Sequence, residues 1–127
     1  MKKMSVLIVD DSTVMRRIVE RSLRMAGLEI EKVIEAENGA SALGVVRQAM
    51  PDMIFSDINM PTMDGIEFVR QLRGVEGAER VPVVMITTEG SQSRVIEALS
   101  LGAQGYIRKP FTPEQVREQV VPLLEAK

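Results

Sequence analysis

The sequence predicts an α/β fold: a doubly wound, five-stranded parallel sheet in the strand order 2-1-3-4-5, with helices on both faces. Two observations support this prediction. Short apolar runs alternate along the 127 residues with amphipathic stretches of helical spacing. The runs at 6–9, 53–55 and 83–86 are apolar throughout, which is the pattern of central strands that helices cover on both sides.

The five strands are the apolar runs themselves. Because right-handed crossovers join consecutive parallel strands, we expect a helix after each run, on one face of the sheet or the other. The predicted strands, in chain order, are residues 6–9, 33–36, 53–56, 83–86 and 106–107.

The first helix is predicted from apolar residues that recur every three or four positions, with Gly27 at its end. Mostly charged residues alternate with them and should face water. The inner face comprises Met15, Ile18, Val19, Ser22, Leu23 and Ala26, and the outer face Arg16, Arg17, Glu20 and Arg24.

Residues that start or stop helices delimit the next two. Asn38 and Gly39 open the second helix and Pro51 closes it, while Asp64 is the candidate N-cap of the third. The inner face of the fourth helix is marked by Val95, Ala98, Leu99 and Gly102.

The fifth helix has the clearest start. Thr112 fits an N-cap, Pro113 fits the first helical position, and Gln115 completes a capping box. Pro122 lies further along and lacks a backbone N–H, so we expect it to kink the helix or end it early.

Composition narrows the possible functions. The chain has no Cys and no His, so any metal site must use oxygen ligands. Sixteen Lys and Arg against eighteen Asp and Glu give a net charge of -2, which favours a protein partner over nucleic acid or an anionic membrane. There is neither a signal-peptide pattern nor an apolar run of membrane-spanning length. We therefore expect a cytoplasmic protein with one domain over residues 1–127.

Polar side chains follow the strands at a single edge of the predicted sheet. In doubly wound sheets, ligands bind at the carboxyl ends of the strands where the strand order reverses, here between strands one and three. The residues at these ends are Asp10 and Asp11 after strand one, Asp57 after strand three, Thr87 after strand four and Lys109 after strand five.

Three neighbouring carboxylates need a cation. At about 4 Å and an effective dielectric constant of about 20, each pair repels by about 4 kcal/mol. Lys109 supplies one positive charge, and a hard divalent ion bound by oxygens supplies the rest. Mg²⁺ typically combines one or two carboxylates with a substrate phosphate. The pattern therefore predicts a Mg²⁺ site in which an aspartate attacks phosphorus, with Thr87 as a hydrogen-bond donor to the phosphoryl group.

Three segments of the sequence resemble the signature segments of bacterial receiver domains. These segments are Val9-Asp10-Asp11-Ser12, residues 57–65 (DINMPTMDG) and Lys109-Pro110-Phe111. The resemblance covers essentially the whole chain and implies a flavodoxin-like fold. With Tyr106 three residues before Lys109 and no second domain, the chain is most similar to the family's stand-alone chemotaxis regulators.

The resemblance implies a phosphorylation switch with Asp57 as the phosphoacceptor. A histidine kinase would donate the phosphoryl group. The protein would not be an enzyme in the usual sense, since it would catalyse only its own phosphorylation and dephosphorylation. The implied Mg²⁺ ligands are Asp10, Asp11, Asp57 and the backbone carbonyl of Asn59.

The family also implies roles for the residues around the phosphoryl group. Thr87 and Lys109 would contact its oxygens, while Asn59 and Glu89 occupy positions at which receiver domains vary to tune the self-catalysed loss of phosphate. The peptide bond between Lys109 and Pro110 is expected to be cis.

The implied output is a change at the face formed by helix four, strand five and helix five. Thr87 would move toward the phosphoryl group and Tyr106 would turn inward, because an added charge of roughly -1.5 to -2 biases two nearly balanced packings. We expect a monomer that binds its output partner at this face, with the flagellar motor switch as the candidate partner.

The sequence departs from familiar motor-binding members near the start of helix four. Ser91 and Gln92 replace a basic pair, and Thr88 stands where Ala is usual. Arg94 and Arg108 are the neighbouring cations instead. A receiver in a phosphorelay other than chemotaxis is therefore the alternative output.

Two other classes of protein share parts of this pattern. Mg²⁺-dependent phosphatases also form an aspartyl phosphate, but such enzymes typically have a D-x-D pattern after strand one. That spacing sends both carboxylates to one side of an extended segment, whereas the adjacent Asp10 and Asp11 point apart. Their substrate-covering cap domain would not fit in 127 residues either. A flavin-binding module would need aromatic side chains to flank the flavin ring and a phosphate-binding Ser/Thr/Gly loop after strand one. The chain has only one Tyr and three Phe, and no such loop follows strand one.

Overall fold

A computed structural model describes residues 3–88 and 92–125, and within them it confirms the predicted alternation of strands and helices. The strands are β1 (Met4–Val9), β2 (Ile30–Ala36), β3 (Met53–Ser56), β4 (Val83–Thr87) and β5 (Gly105–Arg108). The helices are α1 (Thr13–Met25), α2 (Gly39–Gln48), α3 (Gly65–Leu72), α4 (Gln92–Ser100) and α5 (Pro113–Glu125).

The five strands form one parallel sheet in the predicted order, β2-β1-β3-β4-β5. Its register aligns the strand ends. Val9 lies opposite Ser56, and Thr87 lies opposite Arg108. The residues that follow these strands are therefore neighbours at one edge of the sheet, which is what the sequence predicted for the polar side chains.

Hydrophobic layers cover both faces of the sheet. Because successive strand residues point to opposite faces, Leu7 and Val9 belong to the layer beneath α2, α3 and α4. Val6 and Ile8 belong to the layer beneath α1 and α5. The central strands β3 and β4 are buried at every position, as their continuously apolar sequences predicted.

The predicted end of α1 and the predicted starts of α2, α3 and α5 are confirmed. The side chains of Asn38 and Asp64 cap α2 and α3, and Gly27 follows α1 with a φ of +97°, a conformation that suits glycine. Thr112 and Gln115 form the capping box: each side chain accepts a hydrogen bond from the other residue's backbone N–H. These bonds satisfy amides that the helix itself leaves unpaired.

Several details differ from the predictions. Strand β2 begins at Ile30 rather than at residue 33. The search for apolar runs missed this start, because β2 is an edge strand whose exposed positions are polar. Ile18 and Leu99, predicted to face inward, are 46% and 38% exposed. Conversely, the Arg16 side chain, predicted to face water, is only 13% exposed.

The last helix does not end early, since α5 continues past Pro122 to Glu125; whether the proline kinks it stays a prediction. None of the helices in the described part of the chain combines the length and the apolar character that a membrane crossing requires.

Candidate functional site

Three carboxylates meet at the carboxyl edge of the sheet. Asp10, Asp11 and Asp57 each offer an oxygen, and these oxygens all lie within 4.8 Å of one another. Asp10 is buried, Asp57 is partly buried and Asp11 is exposed. This donor set fits a hard divalent cation, because such ions prefer oxygen ligands and usually keep some water ligands as well.

Backbone amides orient two of the carboxylates. Asp10 Oδ1 accepts a hydrogen bond of 2.9 Å from the Ser12 amide, and Asp57 Oδ1 accepts one of 2.7 Å from the Ile58 amide. The Asp57 amide in turn donates to the Val9 carbonyl in β1. The two loops that carry the carboxylates are thus fixed relative to the sheet.

Lys109 lies between two of the carboxylates. Its Nζ is 3.1 Å from Asp10 Oδ2 and 3.4 Å from Asp57 Oδ2, and only 9% of the lysine side chain is exposed. The Lys109 amide donates to the carbonyl of Thr87 at 2.8 Å, which links the end of β5 to the end of β4. Its ammonium group is therefore positioned toward the same space as the carboxylates.

The charges at this edge do not balance. Burial raises the pKa of Asp57, and the neighbouring Asp10 carboxylate raises it further. The ammonium of Lys109 and the Ile58 amide lower the pKa, but the net direction remains upward. Because the ionised Asp57 is disfavoured in this environment, a further cation beside it would be stabilising.

The loop between β3 and α3 packs closely against the phosphoacceptor candidate. We call residues 57–65 the acceptor loop. Gly65 has no room for a side chain, because a Cβ there would overlap the carbonyl oxygen of Asp57. The Gly65 amide donates to the Ile58 carbonyl at 2.7 Å. Asp64 therefore caps α3, as its sequence predicted, and Gly65 makes a close contact with Asp57 that was not predicted.

Arg16 supports the site, although it was predicted to face water. Its Nη1 donates to the backbone carbonyl of Asp10 at 2.6 Å, and its Nε pairs with Glu35 Oε1 at 2.8 Å. No sequence signal indicated this role, because Glu35 lies on β2, far from α1 in sequence, and the helical periodicity grouped Arg16 with the exposed charges.

The remaining predicted residues occupy varied environments. Thr87 is fully buried at the end of β4, Tyr106 is 42% exposed on β5, and Asn59 is exposed in the acceptor loop. The Lys109–Pro110 bond is cis, as predicted. Glu89, the other predicted tuning residue, lies outside the described residues, as does Ser91.

Comparison with known proteins agrees with this geometry. Residues 6–121 match the model of the response regulator receiver domain. A chemotaxis protein CheY homolog of Campylobacter jejuni is 39% identical over 122 residues, which cover 95% of this chain and 92% of that protein. The chemotaxis protein CheY1 of Helicobacter pylori is 41% identical over 118 residues, which cover 92% of this chain and 94% of that protein.

A solved structure shows the same fold. The structure of the chemotaxis response regulator CheY4 of Vibrio cholerae has a TM-score of 0.83 and 37% sequence identity, and the match covers 96% of this chain and 99% of that one. These matches do not support the phosphatase alternative. The chain belongs to the family of response regulator receiver domains and is homologous to the CheY chemotaxis proteins.

Proposed function

We propose that this receiver domain is a phosphorylation-activated switch in which Asp57 accepts a phosphoryl group from a histidine kinase. The observation that supports it most strongly is the convergence of Asp57, two further carboxylates and Lys109 within hydrogen-bonding or metal-binding distance at one edge of the sheet. We further propose that residues 1–127 act as a single receiver module.

Mg²⁺ is the proposed cofactor. Its protein ligands would be the carboxylates of Asp10, Asp11 and Asp57 and the backbone carbonyl of Asn59. The close spacing of the three carboxylates and the raised pKa of Asp57 support a bound cation. When bound, Mg²⁺ neutralises charge on the phosphoryl oxygens during transfer.

Phosphoryl transfer needs a nucleophile and a leaving group. A carboxylate oxygen of Asp57 forms a bond to phosphorus as the P–N bond of the kinase phosphohistidine breaks. The electron pair of that bond remains on the imidazole nitrogen, which then takes up a proton. Lys109 stabilises the charged phosphoryl oxygens, and Thr87 donates a hydrogen bond to them. The protein thereby catalyses only its own phosphorylation, and water later removes the phosphate.

The proposed switch connects Thr87 to Tyr106. The buried Thr87 moves toward the phosphoryl group, and the half-exposed Tyr106 turns into the space that it leaves. The output face, formed by α4, β5 and α5, contains Ile96, Leu99 and Tyr106, all of them substantially exposed. These exposed apolar side chains are available to a protein partner.

Chemotaxis is the proposed pathway, because the relatives described above are named chemotaxis proteins. We propose a cytoplasmic monomer that binds the flagellar motor switch through the output face, with Asn59 and Glu89 tuning the lifetime of the phosphate. A phosphorelay outside chemotaxis is the alternative. If phosphorylation leaves the affinity for a flagellar switch peptide unchanged, the motor output is wrong.

Uptake of labelled phosphoryl groups from acetyl phosphate tests the switch directly. We expect uptake that requires Mg²⁺ and is lost in Asp57→Asn. Asp52→Asn is the matched control, since Asp52 precedes β3 at the opposite edge of the sheet. Its carboxylate accepts a hydrogen bond from the Ser5 amide there. Asp52→Asn should label normally. Normal labelling of Asp57→Asn would show that the assigned phosphoacceptor is wrong.

A further inference from the structure

Ion pairs connect α3 to α4 at two levels. Arg94 Nη2 in the first turn of α4 lies 3.1 Å from Asp64 Oδ2, and Arg70 Nη2 in α3 lies 3.6 Å from Glu97 Oε2 in α4. The Arg94 pair is the shorter and the less exposed. It is also the pair nearer to the site, because Asp64 belongs to the acceptor loop.

Asp64 has two structural tasks at once. Its Oδ1 caps α3 by accepting from the Glu67 amide at 2.9 Å, while its Oδ2 accepts from Arg94. The next residue, Gly65, is in direct contact with the Asp57 carbonyl. The partner of Arg94 is therefore held close to the phosphoacceptor, while Arg94 itself belongs to α4.

The pair is also imperfectly satisfied. Arg94 Nε is buried without a hydrogen-bond acceptor among the described residues. A buried donor without a partner costs free energy, so the unpaired Nε offsets part of the stabilisation that the Arg94–Asp64 pair contributes.

We propose that the Arg94–Asp64 pair restrains α4 against the acceptor loop and thereby sets the balance between the two arrangements of the output face. The inference rests on the proposed function, in which Thr87 moves and the output face changes. Thr87 lies seven positions before Arg94 in the sequence, in the segment that leads into α4. A shift at Thr87 that draws the first turn of α4 away from Asp64 must stretch this pair.

The restraint has a predicted direction. Tyr106 is 42% exposed in the arrangement that contains the pair, so we expect the pair to favour the outward Tyr106. Removing the pair should raise the equilibrium ratio of inward to outward Tyr106 by about two- to fivefold, the range expected for a partly exposed ion pair. Because binding and conformation are reciprocally linked, the same variants should also become phosphorylated to a greater extent at limiting acetyl phosphate.

The test uses Tyr106 as its reporter. The chain contains one Tyr and no Trp, so fluorotyrosine incorporation labels position 106 alone, and fluorine NMR reports its environment. The variants are Arg94→Gln and Asp64→Asn. Asn is a good N-cap, so Asp64→Asn removes the charge from the pair while keeping the cap of α3. Arg70→Gln is the control, because it breaks the other α3–α4 ion pair.

The wild-type response separates this inference from the proposed function. Acetyl phosphate with Mg²⁺ should shift the wild-type fluorine resonance toward the inward state. If the wild-type resonance does not shift, the proposed switch is wrong, and the proposed restraint is wrong as well. If the wild type responds, Arg94→Gln and Asp64→Asn should each move the unphosphorylated resonance toward the phosphorylated position, whereas Arg70→Gln should not.

The double variant adds a second criterion. Because both substitutions remove the same pair, Arg94→Gln combined with Asp64→Asn should shift the resonance no further than either alone. Additive shifts, unshifted single variants, or an equal shift in Arg70→Gln would each overturn the assignment of this role to Arg94 and Asp64.

Discussion

Arg16 shows how a single residue outside the carboxylate cluster can determine the geometry of the site. Its guanidinium donates a hydrogen bond to the backbone carbonyl of Asp10 and forms an ion pair with Glu35. Groups that orient metal ligands typically contribute about 10- to 100-fold to metal affinity. We therefore expect Arg16→Gln to weaken Mg²⁺ binding by about tenfold, as measured by isothermal titration calorimetry.

Arg17→Gln is the control for this prediction, since it removes the same charge from the neighbouring exposed position of α1. It should bind Mg²⁺ almost as the wild type does. An equal loss of affinity in both variants would indicate a general electrostatic effect rather than orientation of Asp10.

Asp57 gives a prediction about pH at the same scale. Its pKa is raised in the folded state, chiefly by burial, so ionised Asp57 disfavours folding and this penalty appears as pH rises from the usual value of 3.8 through the folded-state pKa. Without Mg²⁺, Asp57→Asn should be more stable than the wild type at neutral pH. In urea unfolding, the gain should disappear below pH 3.8. A gain that is independent of pH would contradict this explanation.

At the scale of elements, the start of α3 depends on Gly65. An alanine Cβ there would overlap the Asp57 carbonyl, so either α3 or the acceptor loop must shift. We expect Gly65→Ala to lose about 1–3 kcal/mol of unfolding free energy, as overpacked sites do, and to take up phosphoryl groups more slowly. Thermal unfolding and labelling from acetyl phosphate measure the two effects.

Gly44 provides the opposite case in α2. In the described part of the chain, a Cβ built there meets no atom within 4 Å apart from its chain neighbours and the backbone of its own helix. Glycine in a helix interior is less stable than alanine by roughly 0.5–1 kcal/mol. Gly44→Ala should therefore raise stability and leave labelling unchanged. If both alanine variants slowed labelling equally, the close contact at Gly65 would not be the cause.

The elements also show why sequence reasoning succeeded and where it stopped. Central strands are almost entirely apolar, so β3 and β4 were predicted to within one residue. The parallel-sheet rule then placed Asp57 and Lys109 at one edge. The start of β2 was missed, because an edge strand has polar exposed positions. The contacts of Arg16 and Arg94 involve partners distant in sequence, which periodicity cannot indicate.

For the whole molecule, the site joins strands that are far apart along the chain, so a ligand that binds there should stabilise the entire fold. The carboxylates come from the ends of β1 and β3, and these strands are central in the sheet. A cation that binds only the folded state adds about 2.7 kcal/mol to the unfolding free energy at a concentration 100 times its dissociation constant. We expect Mg²⁺ to raise the midpoint of urea unfolding accordingly.

Asp11→Ala is the variant that distinguishes site binding from general screening. Asp11 is the exposed member of the cluster, so its removal should leave the fold intact while abolishing most of the Mg²⁺ effect. NaCl at matched ionic strength controls for screening of surface charge, which acts without a specific site. Equal stabilisation of the wild type and Asp11→Ala by Mg²⁺, or of the wild type by Mg²⁺ and NaCl, would show that the three carboxylates do not act together as a metal site. Stabilisation confined to the wild type with Mg²⁺ would show that the ends of β1 and β3 are joined through a bound cation.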